Sequence, residues 1–313
     1  MAFLLWAFVM FCAAEDPRGP GEHSAELVHG GITRSYSYRL PPSYAPGSSL
    51  PVVFVLAGGR KGGAGMKVIT DGGFEPLADK EGFILVYPEY VGNIWNDGRN
   101  VRTYPSHAKN VDDVGFLSKL MDVFVKDFGA DRRRLYVAGY SNGGMMAQRA
   151  ACELSSRVAA AASVAGAMPS NVARRCRLSR PVPMLMVHGR EDYFVSWDEG
   201  YVTIAGNKVG RRLTVPSMVR FWTTADGCPK KPAERLLPDA APEDGTRIRE
   251  SVWGPCRQGA EVRLYDVEGG GHTWPNGGEW QPEFISGRIS RDLDACAVIW
   301  GFFRSLPAKR KRS

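Results

Sequence analysis

Gly139, Ser141 and Gly143 set a serine between two glycines, each two positions away. A serine hydroxyl attacks carbonyl groups at neutral pH only when a base takes its proton and a third group orients that base. The spacing has a steric logic. Where a buried strand turns sharply into a helix, the apical residue takes a strained backbone conformation, and glycines at two positions either side let neighbouring backbone pass close by. The hydroxyl then stands above the sheet edge, and the next backbone N–H points into the same space. In a chain with 36 glycines such a triplet is often a plain turn. Here an apolar run at residues 135–138 precedes it and a helix-forming run at residues 145–151 follows, which is the strand–turn–helix context that a nucleophile requires.

A nucleophile of this type is followed along the chain by an acid and then by a histidine. Of the five histidines, His23, His29 and His107 precede Ser141, and His188 ends an apolar run, where it reads as structural. His272 remains, in the loop Gly269-Gly270-Gly271-His272-Thr273-Trp274-Pro275. The acid should follow the strand that ends at Val187-His188-Gly189; Asp192, further into the turn, is preferred, with Glu191 as the alternative. An oxyanion needs two preorganised N–H donors. Asn142 supplies one, and the loop Gly58-Gly59-Arg60-Lys61-Gly62-Gly63 the other, Gly59 first and Arg60 second. That glycine loop lacks the G-K-[ST] of a phosphate cradle. Trp95, Tyr140 and Trp274 fall near loops that should rim a substrate pocket, with Arg60 and Lys61 bringing positive charge to its mouth.

These residues need a scaffold that ends several strands on one side. Continuous apolar runs at residues 51–57, 83–87, 135–138, 158–164 and 183–187 predict parallel strands buried on both faces, with another at 262–267. Alternating residues predict a pair of strands at 25–28 and 33–40. Helical spacing predicts helices after the glycine loop to about residue 80, at 111–128, 143–153, 216–224 and 293–306. The alternation specifies an α/β class: one domain, residues 25–306, with a doubly wound and mostly parallel sheet and an antiparallel pair at its start. A long loop spans residues 88–110, and the polar segment 229–255 could lie over the site as a partial lid.

Residues 2–14 are apolar but too short to span a bilayer, and Cys12-Ala13-Ala14 before Glu15-Asp16 fits a secretory signal cleaved after residue 14. Residues 15–24 read as a flexible lead-in. Four of the formal +7 charges lie on the tail residues Lys309, Arg310, Lys311 and Arg312. With no nucleic-acid motif beside it, this tail (residues 307–313) reads as a solvated terminus, so neither nucleic acid nor stable membrane insertion is expected. In an oxidising compartment, cysteines that staple local excursions are expected to pair: Cys152 with Cys176, and Cys228 with Cys256. The spacing alone leaves other connectivities and the fully reduced state open. Cys296, in the apolar C-terminal helix, reads as a buried thiol.

In combination the chain resembles the secreted esterases of the polyhydroxybutyrate depolymerase and feruloyl esterase family, which have an α/β-hydrolase fold. The resemblance is carried by Val111-Asp112-Asp113-Val114-Gly115-Phe116, Gly139-Tyr140-Ser141-Asn142-Gly143-Gly144-Met145-Met146, Ala151-Cys152-Glu153-Leu154, Pro181-Val182-Pro183 through His188-Gly189 to Asp192, and Glu268 to Pro275. It implies Ser141, Asp192 and His272 as triad and the two cysteine pairs above. One departure stands out: the family commonly has a histidine before the oxyanion glycines, where this chain has Ala57. The expectation is a secreted (extracellular or periplasmic) carboxylic-ester hydrolase that works through an acyl-enzyme, needs no metal or cofactor, and takes a small or oligomeric ester as its partner. Polyhydroxyalkanoate oligomers or short hydroxyacyl esters are the first substrate class, with feruloyl or acetyl-xylan esters as the alternative. A peptidase or a catalytically silent binding module of the same fold are the competing classes.

Overall fold

The computed structural model describes residues 19–306; the expected signal at 1–14 and the basic tail at 307–313 lie outside the described residues. In chain order the strands are β1 (Gly21–His29), β2 (Ile32–Leu40), β3 (Val52–Leu56), β4 (Ile84–Pro88), β5 (Leu135–Tyr140), β6 (Ala160–Val164), β7 (Met184–Gly189), β8 (Tyr201–Ile204), β9 (Asn207–Arg211), β10 (Ala233–Leu236), β11 (Arg247–Trp253) and β12 (Val262–Glu268). Ten of them form one sheet in the order β1-β2-β4-β3-β5-β6-β7-β12-β11-β10, and β8 and β9 form a separate hairpin. The six central strands, from β4 to β12, run parallel, and both edges are antiparallel.

The helices are α1 (Gly62–Ile69), α2 (Phe74–Glu81), α3 (Pro105–Ala108), α4 (Asp113–Asp127), α5 (Asn142–Glu153), α6 (Ser170–Arg175), α7 (Val215–Ala225), α8 (Glu283–Ser286) and α9 (Ala295–Ser305). The strand β3 shows why the sheet is covered on both sides. Its Val52, Phe54 and Leu56 join Leu117 and Phe124 of α4, Met146 of α5 and Trp222 of α7 in one core. Val53 and Val55 point the other way, into a second core with Met66 of α1, Phe74 of α2 and Phe303 of α9. Period-two alternation in an all-apolar strand thus supplies both cores at once.

The structure departs from the sequence reading at several elements, and adds the short helices α3, α6 and α8. The first strand starts at Gly21, so residues 21–24, expected as flexible lead-in, are paired with β2. The single helix expected to end near residue 80 is two helices, because Asp71 and Gly72 take positive φ (51° and 64°) and end α1. Segment 229–255 is not a lid. It contributes β10 and β11 to the far edge of the main sheet, where Glu250 is buried and held by Arg235, Arg263 and Tyr265. The hairpin of β8 and β9 was not expected at all. Disulfides join Cys152 to Cys176 and Cys228 to Cys256, with Cα atoms 5.7 and 4.1 Å apart, and Cys296 is a buried free thiol. Among the described residues no helix is long and apolar enough to cross a membrane.

Asp226, just past α7, ties that helix to the entry of β7: its Oδ1 accepts the Val182 N–H at 3.0 Å, while Oδ2 is buried without a hydrogen-bond partner. Burial pushes this carboxyl up to about 7, from about 3.9 in an unfolded chain. Between those values the unfolded chain has lost a proton that the folded chain keeps, so stability falls as pH rises. Thermal unfolding should therefore show a drop in Tm from about pH 5 to about pH 8 that is smaller in Asp226→Asn; equal drops would assign the pH dependence to other groups.

Candidate active site

Ser141 sits between β5 and α5 with φ 54° and ψ −118°, a conformation that L-residues avoid. The two glycines of the motif permit the crossing. A Cβ on Gly143 would lie 2.1 Å from the Leu56 carbonyl oxygen, and one on Gly139 would lie 2.2 Å from that of Gly143. The turn is tied to the sheet by the Ser141 N–H, which donates to Val164 O at 2.8 Å. The hydroxyl is left partly exposed at the carboxyl ends of the parallel strands.

His272 arrives from the loop after β12. Its Nε2 accepts from Ser141 Oγ at 2.9 Å, and its Nδ1 donates to Asp192 Oδ2 at 2.7 Å. Two further bonds fix the histidine backbone: its N–H donates to Ser286 O, and the Tyr140 hydroxyl donates to its carbonyl, both at 2.6 Å. Burial holds that Tyr140 phenol well above its usual range, so it stays a neutral donor.

Asp192 is buried, and its Oδ1 accepts the backbone N–H groups of Phe194 and Val195 at 2.9 and 2.8 Å. Burial alone would raise its pKa, but the charge and hydrogen bond of His272, with His188 and the Val195 amide, outweigh it and hold the carboxyl below the usual Asp value. Glu191 is exposed and its side chain does not reach His272, so the structure brings Asp192 rather than Glu191 to the imidazole. His188 is a supporting group. Its Nε2 donates to Val195 O at 2.6 Å, which steadies the turn that holds Asp192, and burial pushes its pKa down.

Two backbone amides lie near the nucleophile in the chain or in space. Asn142 is the first residue of α5, where N–H groups have no intrahelical acceptor. The Gly59 amide likewise has no hydrogen-bond acceptor among the described residues. Its loop lies against the nucleophile, since a Cβ on Gly58 would stand 3.4 Å from Ser141 Cβ. The Arg60 amide, the second choice, is already committed to Asn93 O at 2.7 Å.

The expected rim is corrected. Trp95, Tyr140 and Trp274 are 0, 1 and 2 % exposed, so they pack beneath the site and offer a substrate almost no surface. Trp95 donates its indole N–H to Ala57 O at 3.0 Å, and Trp274 packs edge-on against Phe74. The partly exposed aromatics beside the triad are Phe194, 5.1 Å from the His272 ring, and Trp280, 6.0 Å edge-on from Tyr140. Lys61 places its ammonium 4.7 Å over the Trp280 ring, which links the glycine loop to the histidine loop. Neither aromatic was picked from the sequence. Phe194 lies two residues from the acid and Trp280 stands alone in the polar run Gly277-Gly278-Glu279-Trp280-Gln281, which is the signal each carried.

A hydroxyl, an imidazole and a buried carboxylate in hydrogen-bond sequence, near two amides with no acceptor among the described residues, can generate an oxygen nucleophile and receive negative charge on a carbonyl oxygen.

Comparison with known proteins gives a consistent picture. The family described as Phospholipase/Carboxylesterase matches residues 104–205, which include Ser141 and Asp192. A protein of Nocardia uniformis subsp. tsuyamanensis, named as an esterase (NocK), is 32% identical over 88% of this chain and 81% of its own length. Feruloyl esterase B of Piromyces equi is 26% identical over 60% of this chain, and poly(3-hydroxybutyrate) depolymerase of Ralstonia pickettii is 28% identical over 48%. The chain spans about a third of the length of these last two, 32% and 33%. Among solved structures, an acetyl xylan esterase from Aspergillus awamori superposes with a TM-score of 0.55 at 16% identity, over 80% of this chain and 94% of that one, a likeness of fold.

Proposed function

The chain belongs to the α/β-hydrolase family of carboxylic-ester hydrolases, and from that membership we propose that it cleaves esters through a Ser141 acyl-enzyme. The observation that carries the reading is the hydrogen-bonded sequence Ser141–His272–Asp192 at a strained strand-to-helix turn. Ser141 Oγ attacks the ester carbonyl as His272 Nε2 takes its proton. The tetrahedral oxyanion is held by the N–H groups of Gly59 and Asn142. Collapse breaks the C–O bond, and His272 returns the proton to the departing alcohol. Water, activated by the same imidazole, then attacks the acyl-enzyme and releases the acid. Asp192 remains ionised throughout, fixing the tautomer of His272 and stabilising its charged form.

The substrate class we propose is hydroxyalkanoate oligomers or short hydroxyacyl esters, supported by the motif resemblance and by similarity to the Ralstonia pickettii depolymerase. Feruloyl or acetyl-xylan esters are the second reading, favoured by similarity to the Piromyces equi feruloyl esterase. Phe194 and Trp280 would form apolar walls for either acyl group. We also propose an extracellular or periplasmic site of action, supported by the two disulfides and the apolar residues 2–14.

The test is turnover of p-nitrophenyl acetate, p-nitrophenyl butyrate, methyl ferulate and a hydroxybutyrate oligomer. The butyrate ester and the oligomer should give the highest kcat/KM, and a fluorophosphonate should abolish hydrolysis of all four by modifying Ser141. Methyl ferulate exceeding both by about tenfold, a difference of ~1.4 kcal/mol in the barrier, would select the second reading. A folded protein inactive on every ester would overturn the enzymatic reading.

A further inference from the structure

The two proposed oxyanion donors come from elements far apart in the chain: Gly59 from the loop after β3, and Asn142 from the start of α5. The segment 93–99 hydrogen-bonds to both elements, at residues beside Gly59 and at the Asn142 side chain. On the glycine-loop side, Asn93 O accepts the Arg60 N–H at 2.7 Å, and the Trp95 indole donates to Ala57 O at 3.0 Å. On the helix side, the Trp95 N–H donates to Asn142 Oδ1 at 2.7 Å, and Asn142 Nδ2 donates to Asp97 Oδ2 at 2.6 Å and to Trp95 O at 3.3 Å. One residue, Trp95, therefore touches both halves.

The strap is itself immobilised. Asp97 is fully buried, its Oδ2 paired with Arg99 Nε and Nη2 at 2.8 and 2.7 Å and its Oδ1 accepting the Arg99 N–H at 3.0 Å. His107 Nδ1 accepts the Val101 N–H at 2.9 Å, which puts its proton on Nε2, donating to Trp95 O at 3.0 Å. Asn96 is held on both sides, its N–H by Asp113 Oδ2 at 2.7 Å and its carbonyl by Arg149 at 2.6 Å. A surface loop does not require this density of buried polar bonding. A part that must not move does.

We infer that residues 95–97 form a positioning strap for the oxyanion site, with Asp97 and Trp95 as positioning residues that act through Asn142 and the glycine loop. The inference rests on the acyl-enzyme reading above and also accounts for Ala57. Where the resembled family commonly carries a histidine beside the oxyanion glycines, this chain holds the backbone at that point through the Trp95 indole.

Displacing a donor by about 1 Å costs on the order of 10²-fold in rate, close to the ~10²–10³ of deleting one outright. In Asp97→Asn the new NH₂ either replaces Oδ2, facing the Asn142 NH₂ and the Arg99 guanidinium, or replaces Oδ1, facing the Arg99 backbone N–H; in both orientations the strap loses an acceptor and gains a donor–donor clash. Its kcat should fall ~10–100-fold with KM within about twofold. Trp95→Phe keeps a six-membered aromatic ring but loses the pyrrole ring that carries the indole donor, and should cost ~10-fold in kcat.

The experiment measures kcat and KM on p-nitrophenyl butyrate per active site titrated with a fluorophosphonate, together with the Ki of butylboronic acid, whose serine adduct places an oxygen at the oxyanion position. Positioning predicts that Ki rises by about the same factor as kcat/KM falls. A purely structural role predicts fewer titratable sites and a lower Tm, with kcat per site and Ki unchanged, and that result overturns the strap. Should Asp97→Asn fail to fold, Trp95→Phe decides alone. A wild type without serine-dependent turnover sinks the ester-hydrolase reading instead, whereas an active wild type with unaffected variants removes only the strap.

Discussion

Ser141→Ala is expected to fold as the wild type does and to lose ester hydrolysis by on the order of 10⁶-fold in kcat, with substrate affinity little changed. Among the described residues the side chain hydrogen-bonds to His272 Nε2 alone, and the turn is held through backbone, by Ser141 N–H to Val164 O and by Met145 N–H to Ser141 O. Residual turnover would reflect the oxyanion amides and binding alone. The strained φ and ψ of Ser141 give the result a second, independent reading. Glycine adopts φ 54°, ψ −118° without the penalty that serine and alanine bear, a difference of ~1–3 kcal/mol. Ser141→Gly should therefore be equally inactive yet melt above both wild type and Ser141→Ala. Retained hydrolysis in the alanine variant would refute the nucleophile; a glycine variant no more stable than alanine would show that the turn is not under strain.

How far the sequence reaches is visible in particular elements. The strands β3 to β7 were legible because a strand buried on both faces must be apolar at every position, and Val52-Val53-Phe54-Val55-Leu56 has no other plausible reading. At the edges that constraint disappears. The strand β10, Ala233-Glu234-Arg235-Leu236, is exposed at every residue, and β11 alternates around a buried Glu250 whose charge is neutralised only by Arg235 and Arg263 from neighbouring strands. Nothing local announces a strand there. The serine turn was legible for a related reason: steric contacts near 2 Å leave no residue but glycine at 139 and 143.

The pocket rim was not legible, because position on a loop says which residues are near and not which way they face. Trp95 and Tyr140 turn inward since each has a buried carbonyl to satisfy, Ala57 O and His272 O. Trp274 turns inward against Phe74 and Tyr140. The strap was missed on the same ground. Trp95-Asn96-Asp97-Gly98-Arg99 reads as a polar loop until Asn142, 45 residues further on, is placed beside Asp97.

Asp192→Asn should lower kcat/KM by roughly ~10⁴-fold while leaving the fold intact, and the reason lies in the Asp192 hydrogen bonds. In the wild type Oδ1 accepts two backbone amides and Oδ2 accepts the His272 Nδ1 proton, so the imidazole must present its Nε2 lone pair to Ser141. An asparagine keeps its oxygen on the Phe194 and Val195 amides, since its NH₂ cannot accept from them. Its NH₂ is thereby aimed at His272 Nδ1, which must become an acceptor and shift its proton to Nε2. The ring then points a proton at the serine it should deprotonate. Glu191→Gln, on an exposed side chain, should change kcat/KM less than twofold. The stability profile should separate the two as well. The Asp192 pKa is lowered by folding, so its contribution is present above the unfolded value of about 3.9 and is lost as pH falls through the folded value. Asp192→Asn should shed that part of the acid-induced loss of stability, and Glu191→Gln should not. A glutamine variant more damaging to turnover than the asparagine variant would move the acid to Glu191, against the 2.7 Å contact that places Asp192 on the imidazole.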